Sequence, residues 1–213
     1  MPMQERRDTP DSQTIASLSP LPQSGPQRTD ASQYGGRVGY VIERYHRLDD
    51  VPLEEARDLL VEYAIMMHAR VVDHGGPDFD WRDHVNSFMH NFPNILPPNG
   101  SYLMARDAQG ALVGTATLMR VSEDTGEMKH LYVRPEGRRT GLGEALVRAR
   151  IDDARSLGLR WLVADTFKIN RELPALYAKL GFDEVVNSGM SKSAAISPQV
   201  VDWMWFYRLD LQK

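Results

Sequence analysis

The sequence predicts a mixed α/β fold (α+β in its segregation of strands and helices), and three observations carry that reading. Three extended segments, 101–106, 111–121 and 127–133, follow one another across short polar turns, as consecutive antiparallel strands do. A strand, helix, strand unit comes next, which pairs its two strands in parallel. Finally, 213 residues at 42 % hydrophobic composition are enough for one domain with a sizeable core.

Residues 1–36 differ from the rest of the chain. Half of them are Pro, Gly, Ser or Gln, and their large apolar residues have no period, so the segment reads as a disordered tail before a domain over 37–213. Residues 38–46 alternate well enough for a first strand. Asp49-Asp50-Val51-Pro52 then opens a helix, with Glu54 and Glu55 suited to its positive end and Ala56, Leu59, Tyr63 and Met67 as its apolar stripe. A shorter helix is expected over 83–91. The connection at 72–81 crowds Asp73, Asp78 and Asp80 beside His74, with Asp83 and His84 just beyond; turn formation and helix capping account for the acids better than amine attraction does.

Asp107-Ala108-Gln109-Gly110 is a hairpin turn with glycine at the left-handed position. Beyond the strand at 127–133, Leu142, Ala145, Leu146 and Ala149 recur at helical spacing, and 160–166 is a short apolar strand. A helix near 173–180 ends at Gly181. The last strand, 203–211, is expected to carry Trp203, Trp205 and Tyr207 on one face. The long connection at 187–202 is a candidate substrate loop.

The most informative stretch is Arg138-Arg139-Thr140-Gly141-Leu142-Gly143, at a strand-to-helix junction. There the first helical N–H groups lack carbonyl partners and point outward at the positive end of the dipole. Two glycines let an anion approach the main chain, and two arginines add charge. The pattern fits a phosphate cradle. A dinucleotide fingerprint would need a third glycine where Leu146 stands, although Asp165 lies near the acidic position of that motif. A Walker loop would need lysine where Glu144 stands.

Arg-x-x-Gly-x-Gly after a Leu131-Tyr132-Val133 strand resembles the acetyl-CoA loop of the GCN5-related N-acetyltransferases, the GNAT family. Asn170, followed by Tyr177 and Leu180-Gly181-Phe182, is similar to that family's second motif. The resemblance implies a mostly antiparallel sheet of about six to seven strands with about four helices. It also implies a V-shaped splay between the fourth and fifth strands counted from Val38. On the same ground, Leu131, Tyr132 and Val133 would hold pantetheine and the acyl carbonyl through their backbone. Arg138, Arg139, Thr140, Gly141, Leu142, Gly143 and Glu144 would grip the pyrophosphate, Asn170 would contact pantetheine or cap its helix, and Tyr177 would protonate the departing sulfur. Glu127, at the start of the thioester strand, is the expected base. His130 is the alternative, although simple alternation puts it on the face opposite Glu127, Leu131 and Val133 unless a bulge intervenes. The 138 position and Pro174 depart from the commoner family pattern.

The resemblance thus implies a small-molecule-type N-acetyltransferase that uses acetyl-CoA as cosubstrate, a small primary amine as acceptor and no metal. A non-catalytic acyl-CoA-binding module of the same fold and a nucleotide-dependent oxidoreductase are the competing classes. A formal charge of −4 argues against nucleic-acid and anionic-membrane partners. The chain has no cysteine, no long apolar run and a polar N-terminus, so a cytoplasmic setting is expected. A free sheet edge leaves room for a homodimer.

Overall fold

A computed structural model describes residues 25–186 and 198–213 of the chain. One sheet of eight strands runs through the domain, in the order β1-β2-β3-β4-β5-β6-β8-β7. The strands are β1 (Gln27–Asp30), β2 (Val41–Tyr45), β3 (Gly100–Arg106), β4 (Leu112–Arg120), β5 (Thr125–Val133), β6 (Trp161–Phe167), β7 (Asp183–Val185) and β8 (Met204–Asp210). Every neighbouring pair is antiparallel except β5 and β6, which the helix between them makes parallel. Helices α1 (Leu53–Asp73) and α2 (Trp81–Asn91) cover one face, while α3 (Leu142–Ser156) and α4 (Glu172–Lys179) cover the other.

Local chemistry explains most of the boundaries. Pro52 precedes the first turn of α1, and Glu54 and Glu55 lie at its positive end. Asp80 caps α2 by accepting from the Arg82 N–H at 2.8 Å. Gly110 turns the β3–β4 hairpin at φ +82°. Pro174 is tolerated in α4 because it falls in the first turn, where its missing N–H would have had no partner. The strand count exceeds the expected number because β1 and β7 are short, polar edge strands. They gain order from the ladder and leave no apolar period to read.

The expected tail over 1–36 is corrected for residues 25–36. β1 pairs with β2, and a 3-10 turn, Ala31–Tyr34, comes after it. That turn buries only Ala31, which packs against Ala145 and Ala149 of α3. Residues 1–24 lie outside the described part, as do residues 187–197 of the expected substrate loop. A 3-10 turn over Pro198–Trp203 precedes β8, so Trp203 ends a turn and does not share the strand face expected for it with Trp205 and Tyr207.

Polar side chains tie the edge of the sheet to its core. The guanidinium of Arg44 on β2 donates to Asp153 of α3, to Thr29 and to the hydroxyl of Tyr34. Glu43 accepts from Arg28, Tyr45 and Arg106. Burial alone would raise the Glu43 pKa. The hydrogen bonds from Tyr45, Arg106 and Arg28 outweigh it and hold the carboxyl below its usual 4.5. A depressed folded pKa means that Glu43 contributes stability above pH 4.5 and loses it as pH falls through the lower folded value. Urea unfolding of wild type and Glu43→Gln should therefore show the largest difference above pH 4.5, with the two curves converging as pH falls below it. A constant difference across that range would contradict the assignment.

Candidate active site

The functional region forms where β5 and β6 part. Their parallel ladder runs from Thr125↔Trp161 to Met128↔Ala164 and stops there. Beyond that point β5 continues on β4, and β6 continues on β8. The edges that face each other past Met128 and Ala164 are therefore free of ladder pairing, and a wedge opens between them.

One extra residue in β5 shapes this wedge. Thr117 pairs with Lys129 and Thr115 with Tyr132, so three steps on β5 oppose two on β4. His130 takes up the surplus at φ +51°. Side-chain parity is reset there, which corrects the face assignment made from simple alternation. His130 lies on the side of Glu127 and Lys129, against Phe88, Tyr63 and His84 of the α1–α2 layer. Leu131 and Val133 point to the α3 side with Met128, away from Glu127.

Carbonyls at the β4–β5 bulge accept from Arg150 of α3 below them. Its side chain is wholly buried; Nε donates to the Leu146 carbonyl, and Nη1 reaches the carbonyls of Thr117 and Lys129, each at 3.3 Å. Nη2 has no hydrogen-bond partner among the described residues. Burial pulls the guanidinium pKa down to about 10, so it stays charged at neutral pH. Sequence reasoning missed Arg150. Its signal was a charged residue four places after Leu146, on the stripe that Leu142 and Leu146 give to the core.

Five further ionisable groups meet on the α1–α2 side. The Lys129 ammonium stands 3.4 Å from Glu127 and 3.4 Å from Asp165. The ring nitrogens Nε2 of His84 and His130 are 3.0 Å apart, which requires one ring to donate and the other to accept. Burial and then the Lys129 charge lower His84 to about 4; burial and then His84 lower His130 as well. Both imidazoles are therefore neutral at physiological pH.

At the other end of the wedge, α3 begins at Leu142 after Gly141, which has φ +81° and supplies no side-chain cap. The first N–H groups of this 15-residue helix are left without intrahelical partners. A Cβ built on Gly143 would meet nothing within 4 Å, so open space lies in front of those amides. Glu144 does not crowd it with free charge, because its carboxylate is held by Arg148 and by Lys179 of α4. Gly141 itself touches another glycine: its Cβ would stand 2.8 Å from the Gly35 carbonyl oxygen. Arg37 N–H also donates to the Thr140 carbonyl at 2.8 Å, so the N-terminal turn braces the loop.

The model of the Acetyltransferase (GNAT) family matches residues 60–182, more than half of the chain. The chain belongs to the GNAT family. An uncharacterized N-acetyltransferase of Schizosaccharomyces pombe is 40 % identical over 89 residues, covering 40 % of this chain and 53 % of that protein. Human N-acetyltransferase 8 is 32 % identical over 100 residues, covering 45 % of this chain and 44 % of that protein. The chain thus spans about half the length of the curated relatives it matches. Among solved structures, a GNAT acetyltransferase of Staphylococcus aureus superposes with a TM-score of 0.62 at 20 % identity, covering 81 % of this chain and 99 % of that one. A spermidine N-acetyltransferase of Vibrio cholerae, in complex with CoA and spermine, gives a TM-score of 0.54 at 15 % identity, covering 82 % and 97 %. These likenesses establish the GNAT fold.

Within this GNAT domain, the residues expected from sequence fall into three groups. Tyr177 and Asn170 line a cavity of about 70 Å³ inside the splay, with His130, Leu131, Lys129 and Arg150. Tyr177 is buried, and its burial raises the hydroxyl pKa against the opposing charge of Arg150. Gly141 to Glu144 form the helix start, and Thr140 fixes the loop by donating to the Gly137 carbonyl. Arg138 is folded back: Nε donates to the Val133 carbonyl at 2.9 Å, and Nη2 contacts Met66. Arg139 is exposed at φ +61°. Tyr132 directs its side chain away from the wedge, towards Glu62, which also pairs with Arg134. Asn170 is not the α4 cap, since Arg171 occupies that position without a side-chain bond. Glu127 is buried behind Lys129 and does not line the cavity.

Among the described residues, no helix is long and apolar enough to cross a membrane, and Asp78, near the crowded acids, pairs with His68 at 2.7 Å. The histidine pair gives a test. With its folded pKa depressed from 6.5 to about 4, His84 contributes stability above pH 6.5 that is lost as pH falls towards 4. The ring resonances of His84 should thus show no protonation step near pH 6.5 in an NMR titration, and unfolding free energy should decline between pH 6.5 and 4. An ordinary titration of His84 would contradict the paired, neutral state.

Proposed function

We propose that this chain transfers the acetyl group of acetyl-CoA to the primary amine of a small acceptor, by direct attack while both are bound. The observation that carries the proposal is the continuity of three features. The uncapped helix start opens at Gly143, the unpaired edge of β5 leads from it, and that edge ends at the cavity beside Tyr177. A helix start with free amides suits a diphosphate, and a free strand edge suits a linear amide chain that pairs like a short strand. Relatives of the same fold have been seen with acetyl-CoA, and with CoA and spermine, which supports the assignment of cosubstrate and acceptor.

Each residue then has a chemical task. Amides of Gly143 and Glu144 bind phosphate oxygens, and that of Leu142 joins them by leaving the Thr140 hydroxyl, to which it donates at 3.4 Å; Arg138 joins them after leaving the Val133 carbonyl, which is then free for the pantetheine arm. At the cavity the amine lone pair attacks the thioester carbonyl carbon. The C–N bond forms, the C–S bond breaks, and the sulfur takes the hydroxyl proton of Tyr177. The buried phenol keeps that proton until a strong base develops beside it. The charge of Arg150 lies across the same cavity and favours both the thiolate and the tyrosinate left behind. On the acceptor side, Asp165 and neutral His84 front the amine and accept its surplus proton. Glu127, the base expected from sequence, acts one step back by holding Lys129 against Asp165.

A binding module without chemistry would have no use for a second cavity that meets the first at Asp165 and His84, and this favours transfer over binding alone. Two variants test the proposal. Gly143→Glu should leave the fold intact, because the position opens to empty space, yet abolish the rise in melting temperature given by acetyl-CoA. Unchanged stabilisation would remove the phosphate site. Tyr177→Phe should lower kcat for CoA release by about 10²-fold or more, with acetyl-CoA affinity within about twofold of wild type. Full turnover in that variant would remove the acid.

A further inference from the structure

We infer that Arg138 makes a diphosphate the condition of entry, so that the site selects CoA thioesters over thioesters that end at pantetheine. This inference rests on the proposed acetyl transfer and adds a specificity-determining residue to it.

The edge of β5 offers Val133 to the wedge. The Tyr132 carbonyl faces β4, since a Cβ built on Gly114 would stand 2.9 Å from its oxygen. The Arg134 N–H faces the same way and donates to the Val113 carbonyl at 2.8 Å. Main-chain groups of successive residues alternate between the two sides of a strand, so the N–H and carbonyl of Val133 face the wedge. That carbonyl is already taken. Arg138 Nε donates to it at 2.9 Å, while Nη2 meets the sulfur of Met66 on α1 at 3.4 Å. Met66 and Leu131, two residues before Val133, both line the thioester cavity. The guanidinium thus bridges β5 and α1 on the course proposed for the pantetheine arm.

This contact can open by side-chain rotation alone. The turn beneath it is held by its own main chain, with Gly137 N–H donating to the Arg134 carbonyl at 3.0 Å and Arg138 N–H to that of Pro135 at 3.2 Å. The Arg138 side chain itself is exposed. A neutral carbonyl and a thioether are weak partners for a guanidinium, whereas phosphate oxygens give it charge-assisted, bidentate bonds. A CoA thioester therefore carries both the group that draws Arg138 away and the amide that replaces it on β5. A thioester ending at pantetheine brings the amide alone and must displace the guanidinium unaided. One side chain thus sets the difference between the two affinities.

The experiment compares S-acetylpantetheine with acetyl-CoA by titration calorimetry on the wild-type chain, Arg138→Ala and Arg139→Ala. Arg138→Ala should bind S-acetylpantetheine about fivefold more tightly than wild type does, because the Val133 carbonyl is vacated. The same variant should bind acetyl-CoA about tenfold more weakly, because a phosphate partner is lost. Opposite changes in one variant cannot come from misfolding. Arg139→Ala removes an equal charge from the same loop and should give no gain with S-acetylpantetheine. Unchanged, weaker or undetectable binding of S-acetylpantetheine to Arg138→Ala would overturn the inference while leaving acetyl transfer standing. An equal gain in Arg139→Ala would overturn it too, since any loss of loop charge would then suffice. If the wild-type chain does not bind acetyl-CoA, the transfer reading fails and the inference falls with it.

Discussion

The surplus residue in β5 is the constraint on which the site depends. A regular strand would have kept pairing with β6 and presented one side-chain parity along its whole length. With His130 inserted at positive φ, the strand turns from one partner and stays registered on the other. Main-chain groups are thereby left without a ladder in the interior, where leaving polar groups unpaired is expensive. Arg150 meets that demand from α3 and brings a permanent positive charge to the same place. A backbone irregularity and a buried cation are thus two halves of one arrangement.

Buried charge is distributed unevenly around this centre. On the α3 side, the guanidinium of Arg150 and the phenol of Tyr177 face a common space, which suits a developing anion. On the α1–α2 side, Glu127, Lys129 and Asp165 form a line of alternating sign, with two neutral imidazoles beside it. The wedge between the strands connects these two environments. In the proposed transfer, an electrophile held on one side and a nucleophile arriving from the other would meet between surroundings of different polarity. The tight packing of Phe88 on His130 keeps the imidazole pair from relaxing into water.

Much of this fold was legible in the sequence. The apolar spacing of α3, the turn at Gly110 and the paired glycines before α3 each report a local rule, and the structure obeys them. The two motifs also pointed to Tyr177, Asn170 and the helix start. Three things were not legible, for distinct reasons. The bulge at His130 leaves no compositional trace, because histidine adopts positive φ without announcing it. The ordering of residues 25–36 comes from a ladder with β2 and a methyl-sized contact with α3, neither of which has a period. The orientation of Arg138 depends on a carbonyl five residues earlier and a methionine on another helix. Glu127 illustrates the general limit: its type suited a base, but only tertiary placement reveals Lys129 standing in front of it.

The contact between Gly35 and Gly141 carries a consequence of another kind. Two turns far apart in the chain meet here, and Gly141 cannot acquire a methyl group unless the Gly35 backbone yields, whereas a methyl on Gly35 would meet nothing within 4 Å. In this domain the rim of the sheet and the mouth of the pocket are mechanically one part.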